Sequence, residues 1–529
     1  MPFANKFRLR CAVTLVACFL AGTLSVSAEE AFAPNLYVLP IKNSTVEAAR
    51  ALAKPGDRFI DNYPASMTLA RTVIMLPGIS KPILYPWFEG RHAWTVSQDN
   101  SFEVLEGPFP SSTLDDRFAI ETETGRVVGT REHGVYAFDE GMGRFKLIVP
   151  AYQRQRGDEV VDPTAFYHIY TIVHIARLGL TLIGTENGVF QLIGESVRPL
   201  AGAGKHEVGP VTTIIDLPVH RAVMLAGGSG DMAGGGPGAM LRHDDGSVER
   251  LASISKGPVG SGDYIIKASE SRQPGRIIVR SAKTLIEVEM QPSRAGFSPV
   301  GTSTLMSSAG NLYLNELGTK SGEYLILGRK IGWFGQRGFE RLEADGLHTV
   351  PGGAVDPSGN ENHRIQELTA PGLVLIEGHG HRYSYDGNRV ALLPAADPDR
   401  LGRFVISADL PSVGKVLFET ERGLFKLAAA GQIEQLRLPF DYGNDGFAKV
   451  TVSEFPAAHV GLIATKDNLY ALSPSGVVQP IRGGNSDEYI KPFAGEIPGR
   501  RVMLVQGKNS PHLIVTGTHC NDTSEREVH

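Results

Sequence analysis

Two histidines one residue apart, a glycine run and several paired carboxylates are the features of this sequence that could carry chemistry. His379-Gly380-His381 places two imidazoles at a spacing that puts both on one face of a strand. His363 and Glu361 lie nearby in sequence. A metal would still need a third or fourth ligand from elsewhere, so the expected reading is ordinary turn histidines. Gly227-Gly228-Ser229-Gly230-Asp231-Met232-Ala233-Gly234-Gly235-Gly236-Pro237-Gly238 could cradle an anion with backbone N–H groups. A phosphate loop also needs Gly-Lys-Ser/Thr and a helix after it, and neither follows. The expectation is a hairpin insertion that serves as a binding loop. Asp441-Tyr442-Gly443-Asn444-Asp445-Gly446 starts like a calcium loop, but Val452 stands where position 12 needs Glu. Asp115-Asp116 and Asp244-Asp245 read as solvated turns, not as a general acid and base. No catalytic, cofactor-binding or metal-binding set is assigned, and the ligand-binding residues are unknown.

The elements that must position these residues are strands. A repeated unit pairs an apolar strand with a polar turn and a second strand. Clear copies are 129–138, 184–192, 419–427 and 464–472. Each holds a Thr, polar residues, a Gly or Asn, then an aliphatic, an aromatic, a spacer and an apolar residue. Gly188 or Asn468 would supply the positive φ of the turn. Val189 and Gln191 would then face one way, Phe190 and Leu192 the other. Weaker copies at 239–246, 276–288, 338–346 and 381–387, with one more at 91–104, bring the total to nine units. Units of this length with four short strands are propeller blades. The fold class expected is all-β: a β-propeller of four-stranded antiparallel blades, eight or nine of them, over residues 66–529. Residues 29–65 would be a polar segment with one short helix, capped at Ser44 and Glu47 and ended by Pro55-Gly56. Strands near 72–76 or 83–104 would share a sheet with 500–516 and close the ring.

Composition bounds the function. The chain has 529 residues, 42% hydrophobic and 21% charged, with 61 Gly and 33 Pro for many turns. A net charge of −5 gives no global field for nucleic acid. Lys6, Arg8 and Arg10, an apolar stretch over 11–24 and Val26-Ser27-Ala28 form an export signal over 1–28, cut before Glu29. Leu15-Val16-Ala17-Cys18 leaves open a lipoprotein anchored at Cys18. After the cut only Cys520 remains, so no internal disulfide or cysteine zinc site is expected. No later stretch is long and apolar enough to span a membrane as a helix.

The motif Gly-Thr-x-x-x-Gly-[Val/Leu]-[Phe/Tyr] at 129–138, one residue shorter at 184–192 and echoed at 419–427 and 464–472, resembles the repeats of periplasmic sensor propellers of two-component regulators. Leu182-Ile183 and Val127-Val128 stand where those repeats place Trp. The resemblance implies an exported, non-catalytic, sensor-like module that recognises a small molecule, a glycan or an envelope protein. Asn468-Leu469-Tyr470-Ala471-Leu472 is also similar to a quinoprotein-type blade. Its docking Trp does not recur, because Trp87, Trp94 and Trp333 share no register, and no quinone cofactor is expected. Ser97-Gln98-Asp99-Asn100 approaches the sialidase-like Asp box without completing it. A carbohydrate-active hydrolase or lyase, and an envelope assembly scaffold, are the two alternatives.

Overall fold

The computed structural model describes residues 36–41, 58–59 and 70–516, apart from 106–117, 153–164, 228–238, 252–264, 308–312, 330–338, 353–363, 394–400, 443–449 and shorter gaps in other connections. The expected helix at 44–56 lies outside the described residues. Among those described, ten sheets have four antiparallel strands each. Nine take all four strands from one stretch of chain: 70–105, 118–150, 169–204, 211–250, 265–307, 313–349, 364–392, 404–435 and 451–480; within the first, Phe88–Glu89 turns aside to pair with Arg58–Phe59. They are blades 1 to 9. Blade 10 takes three strands from 489–516 and its fourth from Leu36–Pro40, which pairs in register from Leu36↔Thr516 to Pro40↔His512.

The sheets form a ring, and the core shows it. Each of ten buried apolar clusters spans one pair of neighbouring blades, including blade 10 with blade 1. First strands of successive blades lie against one another, so they line the axis. The fold is therefore the expected β-propeller of four-stranded antiparallel blades, closed into a ring, with ten blades among the described residues. Nine units were countable because each has its own hairpin. The tenth was hidden because its strands come from opposite ends of the chain. Its outer strand is Leu36–Pro40, upstream of the expected propeller start at 66, and not 72–76 or 83–104, which belong to blade 1.

The repeat motif explains how blades stack. Val189 packs in the cluster shared with blade 4, and Phe190 in the cluster shared with blade 2. The same split holds for Val135 and Tyr136, Leu424 and Phe425, and Leu469 and Tyr470. One aliphatic–aromatic pair thus straddles each blade, because successive strand residues face opposite sides. Thr185 is fully buried, accepts the Asn187 N–H at 3.1 Å and donates to the Gly188 carbonyl at 3.0 Å. Thr420 makes the same turn, and Thr465 a variant of it in which the hydroxyl accepts from Asn468 N–H, three residues on, and donates to the Asn468 carbonyl. Gly188 has φ +100°, and a Cβ there would collide with the Ala203 carbonyl. Asn468 departs from expectation: it is not in the left-handed region, and its side chain instead accepts the Leu469 N–H at 2.8 Å. Gly184 is needed for a different reason, since a Cβ would meet the Val211 carbonyl of the next blade.

Candidate functional site

Four-stranded blades sort their connections onto two faces. The turns from first to second and from third to fourth strand share one, here the turn face. The second-to-third turns and the links between blades share the other, here the loop face. The longest turn-face connection runs over 75–82. Loop-face connections run over 151–168, 228–238, 251–264, 350–363 and 436–450.

The turn face is a ring of latches. Asp216-Leu217-Pro218, Glu454-Phe455-Pro456 and Glu496-Ile497-Pro498 each end a first strand. Glu454 accepts from Ser412 N–H and Oγ at 3.2 and 2.9 Å, and Glu496 accepts the Ala457 N–H at 3.2 Å. In each case the donor is the preceding blade's turn. Glu270 does the same for the N–H groups of Val219 and His220, at 3.1 and 3.0 Å. It also accepts from His220 Nδ1 at 2.8 Å, while His220 Nε2 accepts the Gly275 N–H at 3.1 Å. Arg177 reaches Asp216 at 2.8 Å, the Ala222 carbonyl at 3.0 Å and Asp244. Burial pushes the Asp244 carboxyl up, but Arg177 and Arg221 outweigh this and hold it below the usual range. Asp245 accepts from Ser247 N–H and Oγ at 2.9 and 2.6 Å. The acidic pair is thus structural: one member latches blades 3 and 4, the other shapes a turn. Ser97-Gln98-Asp99-Asn100 is a turn too. Hydrogen bonds from the Ser97 and Ser101 hydroxyls lower the Asp99 carboxyl. Arg500 of blade 10 donates to the Val96 carbonyl at 3.0 Å and to Asn100 Oδ1 at 2.6 Å, which ties the ring shut.

The loop face carries the candidate site. Five first strands, in blades 1, 3, 4, 5 and 8, share a bulge at the loop-face end, which skips Arg71, Tyr170, Thr212, Ile266 and Val405. A bulge re-aims the extra residue. In blade 3 that residue is Tyr170, whose hydroxyl donates to Glu186 in the second-to-third turn. Just upstream, the rings of Tyr167 and His168 stack at 3.7 Å and 21°. His168 is held at φ +47°, a left-handed conformation that costs a non-glycine residue energy. The Glu186 N–H fixes this turn through the Tyr167 and His168 carbonyls, at 3.3 and 3.1 Å. Phe166, packed edge-on against Phe190 at 5.2 Å, anchors it from below. The four side chains are half-buried.

The sequence reading did not single out these residues. Their signal was present as Phe166-Tyr167-His168-x-Tyr170, an aromatic run directly before a strand. Of the residues it did single out, His379, Gly380, His381, His363, Glu361, Asp115, Asp116 and most of the glycine segment lie outside the described residues, as do 443–446 of the calcium-like loop. Tyr442 is described: it donates to Glu419 at 2.7 Å, beneath the loop face between blades 8 and 9. Burial and the carboxylate push its hydroxyl well above the ordinary phenol range. Among the described residues no group of three metal-ligating side chains occurs, and no helix is long and apolar enough to cross a membrane.

This fold and site define a ten-bladed β-propeller. No family model and no curated protein matches the chain. The solved structures it is similar to include PorZ of the type-IX secretion system of Porphyromonas gingivalis. That match has 13% identity, covers 87% of this chain and 70% of the other, and has a TM-score of 0.29. Another is the dihydro-heme d1 dehydrogenase NirN, with 13% identity, 86% and 79% coverage and a TM-score of 0.32. A third is the extracellular domain of a protein described as a one component system from B. thetaiotaomicron, with 8% identity, 85% and 76% coverage and a TM-score of 0.26. None of these likenesses carries an argument about what this chain does.

Proposed function

We propose that the chain is an exported propeller that recognises a ligand or protein partner on its loop face. The observation that carries this reading is the asymmetry of the two faces. The turn face has short connections, and at several blade junctions its charged groups bind the neighbouring blade. The loop face has the long connections, where binding residues collect on a rigid scaffold, and a repeated bulge at the inner strand. Export rests on the basic, apolar and small-residue pattern over 1–28.

Hydroxyl-radical footprinting tests the reading, with and without a soluble envelope extract from the producing cells. Tyr152 and Tyr167 sit on the loop face; Met142 and Val219, both exposed, sit on the turn face. Protection confined to Tyr152 and Tyr167 is expected. Protection at Met142 and Val219 alone, or at no residue, refutes it.

A further inference from the structure

We propose that Tyr167, His168, Tyr170 and Glu186 form a binding site for an organic cation, an ammonium or guanidinium group. The proposal rests on the loop-face reading and names its ligand chemistry.

Nothing in the blade's architecture requires this group. The hairpin turn is already satisfied by Thr185 and Gly188. At the bulge position the other blades carry Arg71, Thr212, Ile266 and Val405, so the phenol is particular to blade 3. There it holds one carboxylate oxygen, Oε2 of Glu186. Glu186 Oε1 has no hydrogen-bond or ion-pair partner among the described residues. A half-exposed carboxylate is thus fixed in direction by a tyrosine, with one oxygen left to accept. Beside it, the backbone of Tyr167 and His168 is bound to Glu186 N–H and strained at His168, and this presents two stacked rings. Strain of this kind persists where the surroundings over-determine it, and it clusters at ligand clamps.

The chemistry of the set selects the ligand. Ring faces are negative and attract a cation. The carboxylate adds a full negative charge and an acceptor, and no described basic side chain neutralises it. A neutral sugar could stack on the rings, but it would leave that charge uncompensated. An ammonium or guanidinium group supplies both the charge and the N–H donors.

Isothermal titration calorimetry with tetramethylammonium and arginine amide tests the site, with a neutral disaccharide as control. Saturable binding of both cations is expected for the native chain. Glu186→Gln should weaken arginine amide by about tenfold, and Tyr167→Ala should weaken both cations. Glu421→Gln, at the same repeat position in blade 8, should change neither. The melting temperatures of all three variants should match the native chain, which keeps loss of fold apart from loss of site. Affinity unchanged by Glu186→Gln overturns the proposal, as does saturation by the disaccharide alone or no cation binding. If footprinting still protects Tyr152 and Tyr167 after such a failure, only the cation assignment falls and the loop-face reading stands.

Discussion

A chain that begins at residue 42 should lose its ring closure. The strand Leu36–Pro40 supplies the outer edge of blade 10, and Leu36, Val38 and Ile41 are buried at 3%, 8% and 2% exposure. Leu36 and Val38 pack toward blade 9, and Ile41 toward blade 1. Burying one such side chain contributes about 1.5–3 kcal/mol, so the three together contribute roughly 5–9 kcal/mol. That is comparable with the whole stability of an ordinary domain, about 5–15 kcal/mol. Losing the strand also uncovers the edge strand Pro511–Thr516, whose Leu513, Ile514 and Val515 are buried. Val38→Asp should reproduce most of the loss with the strand still present. The assay is thermal unfolding together with sedimentation velocity. Both variants should melt far below the native chain, and the truncated form should self-associate. A truncated protein that stays monomeric and melts at the native temperature would refute the closure mechanism.

Other expectations follow from single contacts. Phe190→Ala should cost about 3–5 kcal/mol in denaturant unfolding, because its ring is 3% exposed between blades 2 and 3; a near-zero cost would mean the stacking register is wrong. Gly188→Ala should cost about 1–3 kcal/mol by the same measurement through its left-handed φ, whereas an alanine at Gly194, also left-handed but in open space, should cost less. The Asp244 carboxyl is depressed in the folded chain, so its contribution is present above the unfolded carboxyl value of about 3.9 and is lost as pH falls through the lower folded value. Melting temperature should therefore fall below about pH 4, and by less in Arg177→Gln; an identical acid profile for that variant contradicts the latch. N-terminal sequencing of the exported protein should begin at Glu29, and intact Met1 on that protein would count against the signal reading.

The hairpin was legible because its chemistry is local. A threonine, a Gly or Asn three or four residues after it and an aliphatic–aromatic pair fall within one short segment, and the structure packs each pair across its blade. The second repeat, an acid, an apolar residue and a proline at 216–218, 409–411, 454–456 and 496–498, was equally written in the sequence. It passed unread because its meaning lies in the preceding blade: at 454 and 496 the carboxylate accepts from a turn some forty residues upstream. The blade 3 site was less legible still. Tyr170 meets Glu186 only because a bulge rotates it out of the ladder, and no local pattern announces that bulge.

The closing strand also sets an order of events. Tyr37 and Arg482 are 445 positions apart, yet the Arg482 guanidinium reaches the Tyr37 hydroxyl at 3.3 Å. Taken from an unfolded chain, a loop that long costs on the order of 4 kcal/mol more to close than one blade's hairpins do. The other nine blades need no such contact, because each is complete within its own stretch. As they stack, their curvature carries the two ends toward each other, and the gap left to span shrinks from a chain to a slot. The first strand made is therefore the last one seated. An arc in which that strand has not seated would leave both terminal sheets uncovered, and two such arcs joining end to end is the hazard expected of exposed sheet edges.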